Sequence, residues 1–356
     1  MRALGIVSRA AARTRAGYVG VRCSSGGSEI STSSKALTCV FGSKVIPHPS
    51  KVHRGGEDAF FVCHETGSFG VADGVGGWID LGVNSGIYSR TLLRHCRATV
   101  AVEKAESLAA GLNSAWARLR QDGAAGGTTV VLGRMEGRAL SLLNIGDSGV
   151  LVVRLNRNRE PRQREQPQVA RVVFRSHEQA AFFNCPFQLS SDENGSDTLY
   201  EADTFQVGVR PGDMVIAGTD GVFDNLFDDE IAALATTFMQ QHKPLQLVDK
   251  DGRTEVMDRR SALNQLASNI AEAARAAAVG TNYTPFTYAA AKEGIGENGR
   301  PLRGGKLDDI TVVIAEVGEA EATHTAAPGL LSNTEDLQPK TVIAEKEEEV
   351  ANGSQT

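Results

Sequence analysis

The sequence predicts an antiparallel α+β domain. Short apolar runs rich in β-branched residues, bounded by glycine and aspartate, recur through the middle of the chain, and such runs are typical of buried strands. Amphipathic helical stretches separate these runs into groups. The order is strands, two helices, more strands, two helices and a last strand, which lacks the regular alternation of a doubly wound parallel sheet.

The elements follow from hydrophobic periodicity. Strand-like runs begin at Phe60, Ser68, Thr128, Ala139, Val150, Val172, Met214 and Ile310. Helical periodicity predicts helices over 85–96, 102–120, 230–240 and 259–278. The segment S-H-E-Q-A-A-F-F, which contains His177, is also helix-like, and we interpret His177 as a structural residue.

Charge and composition divide the chain into three parts. Residues 1–34 hold five arginines and one acid and are rich in serine, which predicts an organelle transit peptide; an ordinary disordered N-terminus is the alternative. Residues 35–317 form the predicted domain. Residues 318–356 hold eight acids and two lysines, which predicts an acidic disordered tail.

The composition also excludes several classes of protein. The net charge of -6 and the acidic middle of the chain argue against a nucleic-acid-binding protein. No apolar run approaches the ~20 residues of a membrane span, so no span is predicted. The five cysteines are scattered without a C-x-x-C pair, which disfavours a zinc site or a disulfide framework.

Carboxylates beside glycine at the ends of predicted strands are the candidates for chemistry. They are Glu57, Asp58, Asp73, Asp147, Asp220, Asp308 and Asp309. One Asp-Gly pair is an ordinary turn signal, but several that each follow an apolar strand are less easily explained as turns. If these strand ends meet, they form an all-oxygen site of the kind that Mg²⁺ and Mn²⁺ prefer.

The motifs resemble the protein phosphatase 2C family. The ordered set is E-D-A, A-D-G-V-G-G, G-T-T, G-D-S-G, G-T-D-G-V-F-D-N and D-D-I-T-V, and it spans 57–313. The chain is most similar to the branch that lacks a histidine after the D-G pair, and especially to plant and algal plastid members, among them photosystem II core phosphatases. I-P-H-P-S-K-V-H-R-G-G-E-D-A-F-F, N-C-P-F-Q-L-S-S and R-G-G-K-L-D-D-I-T-V carry this finer match.

The resemblance implies a fold and a set of ligands. The fold is an antiparallel β-sandwich flanked by helices on both sides, with two Mn²⁺ or Mg²⁺ ions at one end. Asp73 would bridge both ions and the Gly74 carbonyl would bind one. Asp220 and Asp308 would complete the other shell, and Asp147 with Asp220 could hold a weaker third ion. Glu57 and Asp58 would act through water.

The implied activity is the hydrolysis of protein phosphoserine and phosphothreonine by a water that two metal ions activate. The expected partners are phosphorylated proteins, including thylakoid proteins of the photosystem II core and antenna, and the enzyme is expected to be a monomer. The expected location is the chloroplast stroma, with the mitochondrial matrix as the alternative. A catalytically weak or inactive binding module and another two-metal hydrolase, such as a nuclease, are the competing functions.

Two departures from the family pattern concern the catalytic residues. Val75 stands where many members have a histidine that could protonate the leaving oxygen. The usual phosphate-binding arginine is replaced by His53, and Arg54 is one position closer to Glu57, so Arg54 is either a phosphate ligand or a solvated turn residue. The arginine-rich loop at 156–168 either docks an acidic substrate or is merely solvated.

Overall fold

The computed structural model describes residues 36–155, 168–191, 201–242, 253–297 and 299–319. The predicted presequence, all of the arginine-rich loop except Gln168, and the predicted tail from 320 onward lie outside these residues. The last strand continues through Glu319, two residues past the predicted domain boundary.

A first antiparallel sheet has five strands, and residues of one of its inner strands alternate between two cores. In spatial order the strands are β1 (Leu37–Ile46), β16 (Ile310–Glu319), β13 (Met214–Gly218), β7 (Gly149–Leu155) and β8 (Ala170–Arg175). Along β16, Val312 and Ile314 face one core while Val313 and Ala315 face another. This period of two is why the strand is apolar at nearly every position.

A second antiparallel sheet also has five strands. In spatial order they are β12 (Asp203–Gly208), β6 (Ala139–Ile145), β5 (Val130–Glu136), β3 (Ser68–Ala72) and β2 (Ala59–Cys63). Val71 and Leu142 of this sheet share a core with Phe41 and Val152 of the first sheet, so the two sheets pack face to face.

Helices cover the outer face of each sheet. The helices of the described residues are α1 (Ser85–Cys96), α2 (Leu108–Gln121), α3 (Asp220–Phe223), α4 (Asp228–Gln241), α5 (Arg253–Val279) and α6 (Pro285–Lys292). The α1 and α2 helices pack on the second sheet through Tyr88 and Leu112. The α4 and α5 helices pack on the first sheet through Ile231 and Ile270. The predicted α+β sandwich with helices on both sides is confirmed.

Shorter elements complete the domain. The described residues also contain two 3₁₀-helices (Val52–Arg54 and Gly76–Leu81), a π-helix (Arg97–Val102) and three two-stranded antiparallel pairs. Consecutive strands form two of these pairs, β9 (Ala180–Phe182) with β10 (Cys185–Pro186) and β14 (Gly296–Glu297) with β15 (Arg300–Pro301). The third pair joins distant segments, β4 (Gly127–Thr128) with β11 (Leu189–Ser190). The expected helix at His177 is wrong, because the segment continues into β9 and pairs as a strand.

In the described residues, we find no helix whose length and apolar character would suit it to cross a membrane.

The pairing register brings the predicted site residues to one end of the sandwich. Ala59 pairs with Ala72, so the start of β2 lies beside the end of β3. Gly218 pairs with both Gly149 and Val312, so the end of β13 lies beside the starts of β7 and β16. The acids directly outside these positions therefore share the same end of the two sheets.

Candidate active site

The predicted ligand carboxylates are close enough to affect one another's ionisation. Burial raises the pKa of Asp73 well above its ordinary value, and the negative charges of Asp220, Asp58, Asp308 and Asp147 raise it further. Carboxylates in a low-dielectric site repel one another in this way unless cations compensate them. The structure thus brings together acids that lie far apart in the sequence.

Asp58 is buried and joins the second sheet to the first. Thr219 Oγ1 donates a hydrogen bond to Asp58 Oδ2 at 2.9 Å, and Thr219 Oγ1 itself accepts one from Thr311 N at 3.0 Å. Burial raises the pKa of Asp58 well above its usual range, and Asp309 adds to the effect. Asp58 therefore sits at the junction of β2, β13 and β16.

Glu57 is 1% exposed and has two cationic partners. Lys51 Nζ lies 2.7 Å from Glu57 Oε2, and Arg54 Nη2 donates to Glu57 Oε1 at 3.1 Å. Arg54 is partly buried whereas His53 is exposed, so Arg54 is the residue of the two that faces the acidic cluster. Its side chain orients Glu57 in addition to any role toward a phosphate group.

Hydroxyl groups of the G-T-T motif (127–129) and the G-D-S-G motif (146–149) form hydrogen bonds that position the loops carrying Asp73 and Asp147. Thr128 Oγ1 donates to the carbonyl of Asp73 at 2.8 Å, and Thr129 N donates to the same carbonyl at 2.9 Å. Thr129 Oγ1 and Ser148 Oγ are hydrogen bonded at 2.7 Å in a buried position. The G-T-T and G-D-S-G motifs therefore contact each other and position both acids.

Gly74 lies where no side chain fits. A Cβ at this position would stand 2.8 Å from the carbonyl oxygen of Ser85 and 2.9 Å from that of Glu57. Gly74 N also donates to the carbonyl of Glu57 at 3.2 Å. Glycine allows the backbone after Asp73 to pass this close to the Glu57 segment.

Two lysines that the sequence analysis did not single out lie among the carboxylates. Lys306 Nζ contacts Asp220 Oδ2 and lies 3.2 Å from Asp224 Oδ2 and 3.5 Å from Asp308 Oδ2. Lys51 Nζ lies 3.3 Å from Asp308 Oδ1, so Asp308 has a lysine beside each oxygen.

Both lysines remain ammonium ions in this setting. Burial alone lowers the pKa of Lys306, but Asp220, Asp224 and Asp308 outweigh it and raise that pKa above its ordinary value. Burial also lowers the pKa of Lys51, but Asp308, Glu57 and Asp309 together outweigh it and raise that pKa above its ordinary value. In the sequence, a lysine two residues before an acid pair is indistinguishable from a solvated surface charge, which is why R-G-G-K-L-D-D did not reveal this role.

The donor chemistry of the cluster fits divalent cations. Asp147 Oδ1 and Asp220 Oδ1 are buried and have no hydrogen-bond partner among the described residues. As the side chains stand, no group of three or more His, Cys, Asp or Glu residues in these ranges could hold a metal ion. The ammonium groups of Lys51 and Lys306 lie between the carboxylates. Buried, mutually repelling carboxylate oxygens are the ligands that Mg²⁺ and Mn²⁺ prefer.

Several relatives of the chain are described as probable protein phosphatases 2C. No family model matches the chain. "Probable protein phosphatase 2C 55" of Arabidopsis thaliana is 37% identical over 290 residues, which cover 81% of this chain and 53% of that protein. "Probable protein phosphatase 2C 26" of Arabidopsis thaliana is 32% identical over 308 residues, which cover 83% of this chain and 89% of that protein. The chain spans about half the length of several curated relatives that it matches.

A solved structure agrees with these relatives. The X-ray structure of the photosystem II phosphatase PBCP is 32% identical, with a TM-score of 0.62, and the match covers 79% of this chain and 98% of that one. The chain therefore belongs to the protein phosphatase 2C family.

Proposed function

We propose that the chain is a metal-dependent protein serine/threonine phosphatase that acts as a monomer. The observation that carries this proposal is the buried carboxylate cluster at the joined ends of β2, β3, β13 and β16, in a chain of the protein phosphatase 2C family. Such a cluster has no obvious structural benefit, because like charges in a low-dielectric site destabilise one another.

The acids would share two Mn²⁺ or Mg²⁺ ions. Asp73 would ligate both, and the Gly74 carbonyl would ligate one. Asp220 and Asp308 would complete the shell of the other, and Asp147 is the candidate for a weaker third ion together with Asp220. When bound, the ions would neutralise the phosphoryl oxygens and lower the pKa of a water molecule enough for it to attack phosphorus.

The protein side chains would bind and orient the reactants. Glu57 and Asp58 would accept hydrogen bonds from water in the site, and Arg54 would donate to the phosphoryl oxygens. In the reaction the P–O bond to serine or threonine breaks while a P–O bond to water forms. Val75 has no proton to give, so we propose that the leaving oxygen takes its proton from water.

Hydrolysis of p-nitrophenyl phosphate and of a phosphothreonine peptide tests this function. We expect turnover with Mn²⁺ or Mg²⁺, none after exhaustive chelation, and recovery when the ion is restored. Turnover that survives chelation would contradict a metal-dependent mechanism. Absence of turnover with bound metal would favour the catalytically inactive binding module.

The substrate and compartment are finer parts of the proposal. We propose thylakoid phosphoproteins as substrates and the chloroplast stroma as the location, supported by the similarity to a photosystem II phosphatase and by the arginine-rich residues 1–34. A fusion with a C-terminal fluorescent reporter should be found, shortened, in the soluble plastid fraction. Recovery of the shortened form in the mitochondrial matrix would contradict this location.

A further inference from the structure

The backbone of Lys306 is clamped by a buried asparagine. Asn225 is 1% exposed; its Nδ2 donates to the carbonyl of Lys306 at 2.8 Å, and its Oδ1 accepts from Lys306 N at 2.9 Å. Asn225 Nδ2 also donates to the carbonyl of Gly221 in α3 at 2.9 Å. A side chain at Gly305 would collide with the Asn225 amide. Lys306 is therefore held in a defined position relative to α3.

The α3 helix carries the acids that Lys306 faces. Asp220 begins the helix and Asp224 follows its last residue, so the two carboxylates lie one turn apart on the same side. The ammonium of Lys306 lies between them and also reaches Asp308. The side chain of Lys306 is 19% exposed, so water screens this charge only partly.

We infer that Lys306 is a tethered cation of the active site, which lies between Asp220 and Asp224 and so weakens binding of the third divalent ion proposed at Asp147 and Asp220. The inference rests on the proposed metal-dependent function and refines it. A lysine cannot dissociate, so its charge is present at any metal concentration. Because like charges a few ångströms apart repel, Lys306 also weakens divalent binding at Asp220 and Asp308.

Mn²⁺ binding to metal-stripped full-length protein, measured by isothermal titration calorimetry, tests the inference. Lys306→Met removes the charge and keeps a chain of similar length. We expect this variant to bind one more Mn²⁺ than the wild type, or to bind Mn²⁺ at least about tenfold more tightly. Lys306→Arg keeps the charge and should behave like the wild type. Lys292→Met is the matched control, because Lys292 is exposed and stacks on Tyr288 in α6.

Thermal unfolding in EDTA and in saturating Mn²⁺ provides a second readout. Lys306→Met should lower the Tm in EDTA, where Asp220 and Asp224 lose their cation, and Mn²⁺ should remove the difference. A Tm loss that is equal in both conditions, with unchanged Mn²⁺ binding, would reduce Lys306 to a structural residue and overturn the inference. Lys306→Gln, which keeps a hydrogen-bond donor, replaces Lys306→Met if that variant does not fold.

The same titrations separate this inference from the proposed function. If the wild type binds no Mn²⁺ but Lys306→Met does, the tethered cation is supported and metal-dependent catalysis by the natural chain is contradicted. If the wild type and Lys306→Met bind Mn²⁺ identically, the inference fails while the proposed function stands. If neither binds Mn²⁺, both fail.

Discussion

Asp309 Oδ2 accepts a hydrogen bond from the backbone N–H of Glu57 at 3.0 Å, although 252 positions separate the two residues. Its other oxygen accepts from His48 N at 2.7 Å, and Lys51 Nζ lies 3.2 Å from Oδ2. In the sequence, Asp309 is one of the candidate carboxylates, and the family resemblance gives it no ligand role. In the structure it anchors the segment that carries Glu57 and Asp58 to the start of β16.

Asp309→Ala should therefore destabilise the domain. The change leaves the N–H groups of Glu57 and His48 without this acceptor and removes a buried partner of Lys51, which together should cost about 3 kcal/mol of unfolding free energy. Urea denaturation measures the loss, with Asp80→Ala at an exposed position as the control. An unfolding free energy within about 0.5 kcal/mol of the wild type would show that the anchor is unimportant.

Asp73→Asn should separate catalysis from stability. The carboxylate of Asp73 is repelled by its neighbours, so a neutral amide of the same size should not lower the stability of chelated protein. An amide cannot bridge two cations, and Mn²⁺-dependent hydrolysis of p-nitrophenyl phosphate should fall by more than about 100-fold. The assay is paired with urea denaturation in EDTA. Retention of more than a few per cent of the activity would remove Asp73 from the ligand set.

Asp224 should make the stability of chelated protein depend on pH. Burial raises the pKa of Asp224 from 3.8 to about 7, with Lys306 opposing and Asp220 adding to the effect. The folded state then binds this proton more tightly than the unfolded chain, so the free energy of unfolding decreases as pH rises from about 4 to about 7.

The slope from this one group is at most about 1.4 kcal/mol per pH unit. Urea denaturation in EDTA at several pH values measures it, and Asp224→Asn should flatten the profile over the same range. An identical pH profile for the variant and the wild type would mean that Asp224 titrates normally in the folded protein.

Two roles of Arg54 can be separated by experiment, because binding of the phosphoryl group and positioning of Glu57 predict different phenotypes when Arg54 is changed. If Arg54 binds the phosphoryl group, Arg54→Lys should raise KM for p-nitrophenyl phosphate and weaken inhibition by inorganic phosphate, each by about tenfold, since lysine cannot bind bidentately. Mn²⁺ affinity should stay unchanged. A fall in Mn²⁺ affinity with unchanged KM would instead assign Arg54 to the positioning of Glu57.

Periodicity in the sequence located most elements of the fold, but several were missed for identifiable reasons. The edge strand β12 reads D-T-F-Q-V-G and is half exposed, so its apolar signal is weak. The helix α6 is short, yet it had a recognisable start in which Thr284 caps the helix and Pro285 is its first residue. The segment at His177 has helix-like composition, and pairing with Cys185 and Pro186 decided that it is a strand.

By itself the sequence determined the fold class, the family and the set of acids, because alternating hydrophobicity and glycine-bounded acidic turns are local patterns. The tertiary structure decided which charges face one another. Lys306 reaches Asp220 across 86 positions, and Asp309 reaches Glu57 across 252. The partner of a charge depends on strand register and on burial, which are set by pairing between distant segments and cannot be obtained from either segment alone.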